Sequence, residues 1–275
     1  MPVAWSRLIR FVATDGRVLR GEPILPHPEF DLGQTTEATG LRAKVIQGDD
    51  VYDTTGATKV TDEIATVKKL LGPLSPSDVP IIRCVGLNYV SHILDHDANV
   101  VVPKIAQDDQ ADYEGELCAI IGKDAKDVRE DEALNYVAAY TAGNDISSRK
   151  LQRDPKLAGP VPQWGFSKGF DTYAPLGPVL VSSSLIPDPG TLQLKTTVDG
   201  ELRQTSGLDD LLFNISYLIC YLSSGTTLQK GSIIMTGTPG GVGSGQKPPK
   251  YLKPGTKMEV HVSNIGTLKN GVEFA

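Results

Sequence analysis

The sequence predicts an α+β chain that is mostly β, and three observations carry that expectation. Short apolar runs with a period of two are bounded by turn residues along most of the length. The 28 glycines and 19 prolines suit many turns better than long helices. One stretch alone has sustained helical periodicity with start and stop signals.

The first strands are Leu8–Ala13 and Arg17–Gly21, joined by Asp15-Gly16, a strong hairpin turn. Residues 22–42 are rich in Pro, Gly and polar groups, and Lys44–Gly48 resumes a strand pattern. Thr61–Leu71 reads as one short helix. Gly72–Asp78, with two prolines and two serines, reads as a linker, so a small β-rich domain is expected over residues 1–75 and a larger one over 76–275. Pro80–Gly86 reads as a buried strand, and Lys195–Arg203 as a hairpin closed by Asp199-Gly200. The helix is expected over Asp209–Ser224, where Leu211, Leu212, Ile215, Leu218, Ile219 and Leu222 recur at helical spacing. Ser206 with Asp209 resembles a capping box, and Gly225 stands where a helix stops.

A formal net charge of −6 disfavours general binding to nucleic acid or anionic membranes. Cys84, Cys118 and Cys220 lie far apart without metal-ligand spacing, which fits reduced thiols. With no long apolar segment and no signal-peptide layout, a cytoplasmic protein is expected.

The most informative segment is Asp112–Ile121. If it is a strand, Glu114 and Glu116 share one face, while Leu117, Ala119 and Ile121 demand burial. Two buried carboxylates repel each other and need a proton, a cationic side chain or a metal. The plain alternative is an edge strand whose glutamates face water. Asp145 follows a second apolar run, Tyr136–Ala142, in Gly143–Ser147; three carboxylates brought together would suit a hard divalent cation such as Mg²⁺.

Lys168 lies in the aromatic, glycine-rich stretch Trp164–Phe170, where a lysine is less expected than on a charged face, although a surface lysine is the commoner case. Arg149 and Gln152 follow Asp145 by four and seven residues. On a helical turn they would share its face and hold a carboxylate or carbonyl oxygen. Thr236–Gly243 is glycine-rich but lacks the lysine of a P-loop, so its natural role is to set Thr238 against a small anion. His92 has Asp95 three residues on, an arrangement for a general base oriented by a carboxylate, with His96 and Asp97 as competing candidates.

In this order, Val85–His92, Asp112–Leu117, Gly143–Asp145, Ser167–Gly169 and Thr236–Pro239 resemble the fumarylacetoacetate hydrolase family, over about residues 80–275. The resemblance implies a mixed β-sandwich or roll in which Glu114, Glu116 and Asp145 bind Mg²⁺ or Mn²⁺. By the same carry-over, Arg149, Gln152, Lys168 and Thr238 would line the substrate site, with His92, Asp95 and Lys168 as catalytic groups. It also implies a small anionic 2-oxo acid substrate and a homodimer. Two departures stand out: Asp95 replaces the glutamate of many relatives, and the stretch from His92 to Pro103 is shorter than usual.

The leading expectation is therefore a metal-dependent hydrolase of an acylpyruvate-type 2,4-diketo acid, acting through an enolate that the metal stabilises. An oxaloacetate decarboxylase or a 2-oxo acid isomerase or tautomerase would use the same metal site. A catalytically silent ligand-binding homologue is the alternative of another class.

Overall fold

The computed structural model describes residues 2–84, 93–94 and 96–275. Four strands open the chain: β1 (Arg7–Ala13), β2 (Val18–Ile24), β3 (Arg42–Gln47) and β4 (Lys59–Leu71). The expected hairpin joins β1 to β2, with Gly16 at φ +90° in its turn. The expected helix over 61–71 is instead β4. Its Val60, Thr61, Ile64, Thr66 and Val67 are β-branched and lose rotamer freedom in a helix, whereas β1 and β3 offer partners on both sides. Ala65 and Val67 point into the core in strand alternation.

Short strands follow, β5 (Ile82–Cys84), β6 (Ile93–Leu94), β7 (Val100–Val102) and β8 (Ala111–Asp112), and lead to β9 (Gly115–Ile121) and β10 (Val137–Asn144). After β11 (Ser147–Ser148) come three helical turns, α1 (Arg149–Arg153), α2 (Pro155–Ala158) and α3 (Trp164–Lys168). The chain closes through β12 (Ala174–Ser182), β13 (Gln193–Val198), β14 (Glu201–Gly207), α4 (Ile215–Ser223), β15 (Ile233–Met235), β16 (Lys257–Val262) and β17 (Gly266–Phe274).

Among the described residues, a ten-stranded sheet runs β2-β3-β4-β1-β12-β10-β9-β15-β5, with β6 beside β12, and a five-stranded sheet runs β14-β13-β16-β17-β7. The N-terminal strands join the large sheet where β1 pairs with β12. β9 is central, between β10 and β15, and every residue of it is buried. Its alternate residues enter two different cores. Leu117, Ala119 and Ile121 pack with Leu194, Val260 and Val262 of the smaller sheet, while Cys118 and Ile120 pack on the opposite face with Leu176, Ile233 and Met235. A continuous apolar run is what a strand covered on both faces requires.

The helix expected over Asp209–Ser224 is shorter than its periodicity suggested. Ser206 belongs to β14, Leu208–Asp210 is a separate 3-10 turn, and Leu212 is 87% exposed. Asn214 is the true N-cap, accepting the Tyr217 N–H at 2.8 Å. Such a cap satisfies one of the N–H groups left free at a helix start. Gly225, at φ +69°, ends the helix as expected. Cys84 and Cys118 are buried thiols, while Cys220 is half-buried. Among the described residues no helix is long and apolar enough to cross a membrane.

Asp31 ties the N-terminal segment to β17. Its carboxylate accepts Gly33 N–H at 2.8 Å, Thr267 N–H at 2.9 Å and the Thr267 hydroxyl at 2.6 Å. Burial opposes its ionisation, but the two Thr267 bonds and that of Gly33 outweigh it and hold the carboxyl below its ordinary range. A depressed carboxyl contributes stability that is full above the unfolded value, about 3.9, and is lost as pH falls through the folded one. Asp31→Asn is therefore expected to lower stability at pH 7, with the gap to the parent closing as pH falls below about 4. Denaturant titrations from pH 7 to pH 3 measure this, and a gap constant across the range would refute it.

Candidate active site

The site forms at one end of β9, because its two neighbours bring their ends there. Pairing with β10 sets Gly143 opposite Glu116 and Asn144 opposite Gly115, and the Asp145 N–H then donates to the Glu114 carbonyl at 2.8 Å. The Asn144 side-chain oxygen accepts the Glu114 N–H at 2.9 Å, fixing the turn into Asp145. On the other side, the chain leaving β15 donates the Gly237 N–H to Glu116 Oε2 at 2.7 Å. The carboxylates of Glu114, Glu116 and Asp145 are all buried, and their candidate ligand oxygens lie within 4.8 Å of one another.

Gly115 stands between the two glutamates because no side chain fits there. A Cβ would lie 2.1 Å from Thr196 Oγ1 and 3.2 Å from Val260 Cγ1, so the smaller sheet can close directly on the strand. Its N–H donates to Gln204 Oε1 at 3.0 Å. Gln204 Nε2 in turn donates to Thr238 Oγ1 at 2.7 Å, and that hydroxyl donates to the Gly115 carbonyl at 3.0 Å. Thr238 thus clamps the strand carrying the glutamates, with its single proton committed to the backbone.

Lys168 ends α3 and is buried. Its ammonium donates to Asp145 Oδ2 at 2.6 Å, Glu114 Oε2 at 2.9 Å and Ser147 Oγ at 2.6 Å. Arg149 begins α1 and is also buried. Its Nε meets Asp112 Oδ2 at 2.8 Å, and its Nη1 meets Glu114 Oε1 at 2.6 Å and Gln152 Oε1 at 3.3 Å. The helix starts at Arg149, so Asp145 lies before it rather than on its face; the turn through β11 still delivers all three residues to one place. Two donors here have no partner although buried, Arg149 Nη2 and Gln152 Nε2.

Electrostatics divides the carboxylates. Burial pushes Glu116 well above its ordinary value, and the charges of Asp145 and Glu114 add to this. Asp145 is raised for the same first reason, with Lys168 opposing. At Glu114 burial also acts upward, but Lys168 and Arg149 outweigh it and the group is lowered. Burial disfavours the Lys168 ammonium, yet Asp145 and Glu114 raise its pKa. Four carboxylates, Asp112, Glu114, Glu116 and Asp145, thus meet two cations, Lys168 and Arg149. With all four ionised the excess would be two negative charges, the charge of one divalent ion, and an all-oxygen donor set suits Mg²⁺ or Mn²⁺. The residues fit such an ion.

The structure therefore gathers Glu114, Glu116, Asp145, Arg149, Gln152 and Lys168, and ties Thr238, half-buried, to the same strand through the Gly115 carbonyl. His92 and Asp95 lie outside the described residues. The alternative of water-facing glutamates on an edge strand does not hold, since β9 is central. Two residues the sequence reading did not single out take part: Gln204, which carried no signal, and Asp112. Asp112 extends the two-residue spacing of Glu114 and Glu116 by one step, and that signal was available.

Residues 62–273 match the model of the fumarylacetoacetate (FAA) hydrolase C-terminal family. The chain belongs to the fumarylacetoacetate hydrolase family. Caffeoylpyruvate hydrolase of Neonothopanus nambi is 39% identical over 98% of this chain and 93% of that protein. Oxaloacetate tautomerase YisK of Bacillus subtilis is 38% identical over 74% of this chain and 73% of its own. Among solved structures, a 5-carboxymethyl-2-hydroxymuconate delta-isomerase from Mycobacterium smegmatis superposes with a TM-score of 0.75, at 28% identity, covering 98% of this chain and all of that one. The relatives named in this family are a hydrolase, a tautomerase and an isomerase, which supports an enzyme here, and the buried acidic triad agrees with that.

Proposed function

We propose that this chain is a Mg²⁺- or Mn²⁺-dependent hydrolase that cleaves a C–C bond of an acylpyruvate, a 2,4-diketo acid. The observation that carries this reading is the pair of buried donors without partners, Arg149 Nη2 and Gln152 Nε2, beside the carboxylate triad. An unsatisfied buried N–H is costly, and a substrate carboxylate laid against both would satisfy them. Glu114, Glu116 and Asp145 would hold a divalent ion, which would supply Lewis-acid polarisation of a 2-oxo acid.

The remaining work falls to the chain's own side chains. Arg149 and Gln152 bind and orient the carboxylate. Lys168, a compact cation in a buried setting, faces the negative charge that develops on oxygen during cleavage. Thr238, through Gly115, keeps the two glutamates at their separation. By the family resemblance, His92 with Asp95 would supply the base that takes a proton from the attacking water. Water adds across the bond between the acyl carbon and the pyruvyl methylene, giving a carboxylic acid and pyruvate.

Hydrolysis is favoured because the similarity to caffeoylpyruvate hydrolase runs through 98% of the chain at 39% identity, against 74% of the chain for the tautomerase and 28% identity for the isomerase. A tautomerase or isomerase of 2-oxo acids, or an oxaloacetate decarboxylase, is the second reading, supported by the likeness to YisK and to the muconate isomerase. A silent ligand-binding homologue is the third. Turnover of aliphatic and aromatic acylpyruvates, oxaloacetate and unsaturated 2-oxo diacids with Mg²⁺ or Mn²⁺ separates them. Pyruvate release from an acylpyruvate is expected; enol–keto exchange or CO₂ release without C–C hydrolysis would establish the second reading. Binding of oxalate without any turnover would establish the third. A homodimer belongs to the same proposal, and a monomeric mass at micromolar concentration would contradict it.

A further inference from the structure

Asp112 is wholly buried, and both its oxygens are saturated with donors. Oδ1 accepts the N–H of Tyr113 at 3.0 Å and of Gly243 at 2.7 Å; Oδ2 accepts Ser244 N–H at 2.9 Å and Arg149 Nε at 2.8 Å. Two of these donors come from the glycine-rich loop after β15, and one is the guanidinium beside the acidic triad. The loop can approach because Gly243 has no side chain: a Cβ there would lie 2.6 Å from Asp112 Oδ1 and 2.0 Å from the Lys250 carbonyl oxygen.

A guanidinium is rigid and planar, so two contacts at different nitrogens fix its plane and the direction of the third. Asp112 holds Nε and Glu114 holds Nη1 at 2.6 Å. That leaves Nη2, buried, as the one guanidinium nitrogen without a hydrogen-bond partner among the described residues. Without Asp112 the arginine would keep only its contacts through Nη1 and could rotate about them.

We propose that Asp112 is a positioning residue that aims Arg149 Nη2 at the substrate carboxylate and couples that arginine to the glycine-rich loop through Gly243 and Ser244. This deepens the proposed function and rests on Arg149 being the carboxylate-binding group. The loop reports on the site, because a ligand engaging Nη2 restrains the guanidinium, and the guanidinium shares Asp112 Oδ2 with the Ser244 amide.

The test uses Mn²⁺ and oxalate, with both affinities measured for the parent, Asp112→Asn, Arg149→Met and the double variant. Asp112→Asn is expected to weaken oxalate, measured at saturating Mn²⁺, roughly tenfold or more, and to weaken Mn²⁺ by less, since Asp112 adds to the charge of the site without being one of the three carboxylates that would hold the ion. The double variant should bind oxalate no more weakly than Arg149→Met alone, since residues that act through one group are not additive. Parental oxalate affinity in Asp112→Asn, or losses that multiply in the double variant, would overturn the positioning role while leaving the function reading intact. Parental affinity in Arg149→Met would overturn that reading and this inference with it. A measurement on the unaltered protein guards against variants that fail to fold: oxalate with Mn²⁺ should slow hydrogen exchange at the Gly243 and Ser244 amides beyond Mn²⁺ alone, and unchanged exchange would overturn the coupling.

Discussion

Lys168→Met is expected to lower kcat/KM about 10²–10³-fold on the best substrate, the range seen when one group facing a developing oxyanion is lost. Metal affinity should hold or rise, because the ammonium now lies 2.6 Å from Asp145 and 2.9 Å from Glu114, and its removal leaves the triad more negative. Opposite movement of the two quantities is the signature to look for. Lys168→Arg should not restore the rate, since a planar guanidinium cannot meet Asp145, Glu114 and Ser147 from the space a compact ammonium occupies. Kinetics paired with Mn²⁺ titration of both variants decide the matter. Parental kcat/KM in both would remove Lys168 from the mechanism.

Glu116→Gln should also separate stability from function. Glu116 is 2% exposed, and among the described residues its carboxylate has one backbone donor, Gly237, and no cationic side chain bonded to it. Replacing it by an isosteric amide removes a buried charge that Asp145 and Glu114 repel, so the metal-free variant should melt at or above the parent. Metal binding should suffer strongly. At metal 100-fold above the parental Kd the parent gains about 2.7 kcal/mol; a variant with a Kd 100-fold weaker gains only about 0.4 kcal/mol. Melting in chelator and in saturating Mg²⁺ tests both halves. A metal-induced rise equal to the parent's would exclude Glu116 as a ligand.

Much of the site was legible because strand periodicity is a local property. The two-residue spacing of Glu114 and Glu116, inside a run that had to be buried, carried the idea of paired carboxylates before any partner was known. The hairpins at Asp15-Gly16 and Asp199-Gly200 were legible for a like reason, since the turn chemistry resides in the residues themselves. Thr61–Leu71 misled because apolar residues at mixed spacing fit a short helix, and only the presence of β1 and β3 on either side selects the strand. The helix over 209–224 misled in the opposite direction: its periodicity continues through Leu211 and Leu212, but β14 claims Ser206 and Gly207, and Asn214 caps the chain later.

By itself the sequence indicated a mostly β scaffold and three carboxylates that would suit a divalent ion if brought together, and the family resemblance added a lysine and an arginine for the substrate site. The tertiary structure alone decided how these charges balance. Asp145 meets Glu114 only because β10 pairs with β9, Gly237 reaches Glu116 only because β15 pairs on the other side, and Gly115 is needed only because the smaller sheet closes upon it. Asp112 shows the difference most plainly. Its distance from Glu114 is written in the chain, but its bond to Arg149 spans 37 residues and its bonds to Gly243 and Ser244 more than a hundred. Spacing along a strand is set by local backbone geometry, whereas the partner of a buried charge is set by which distant segments the packed sheets bring against it.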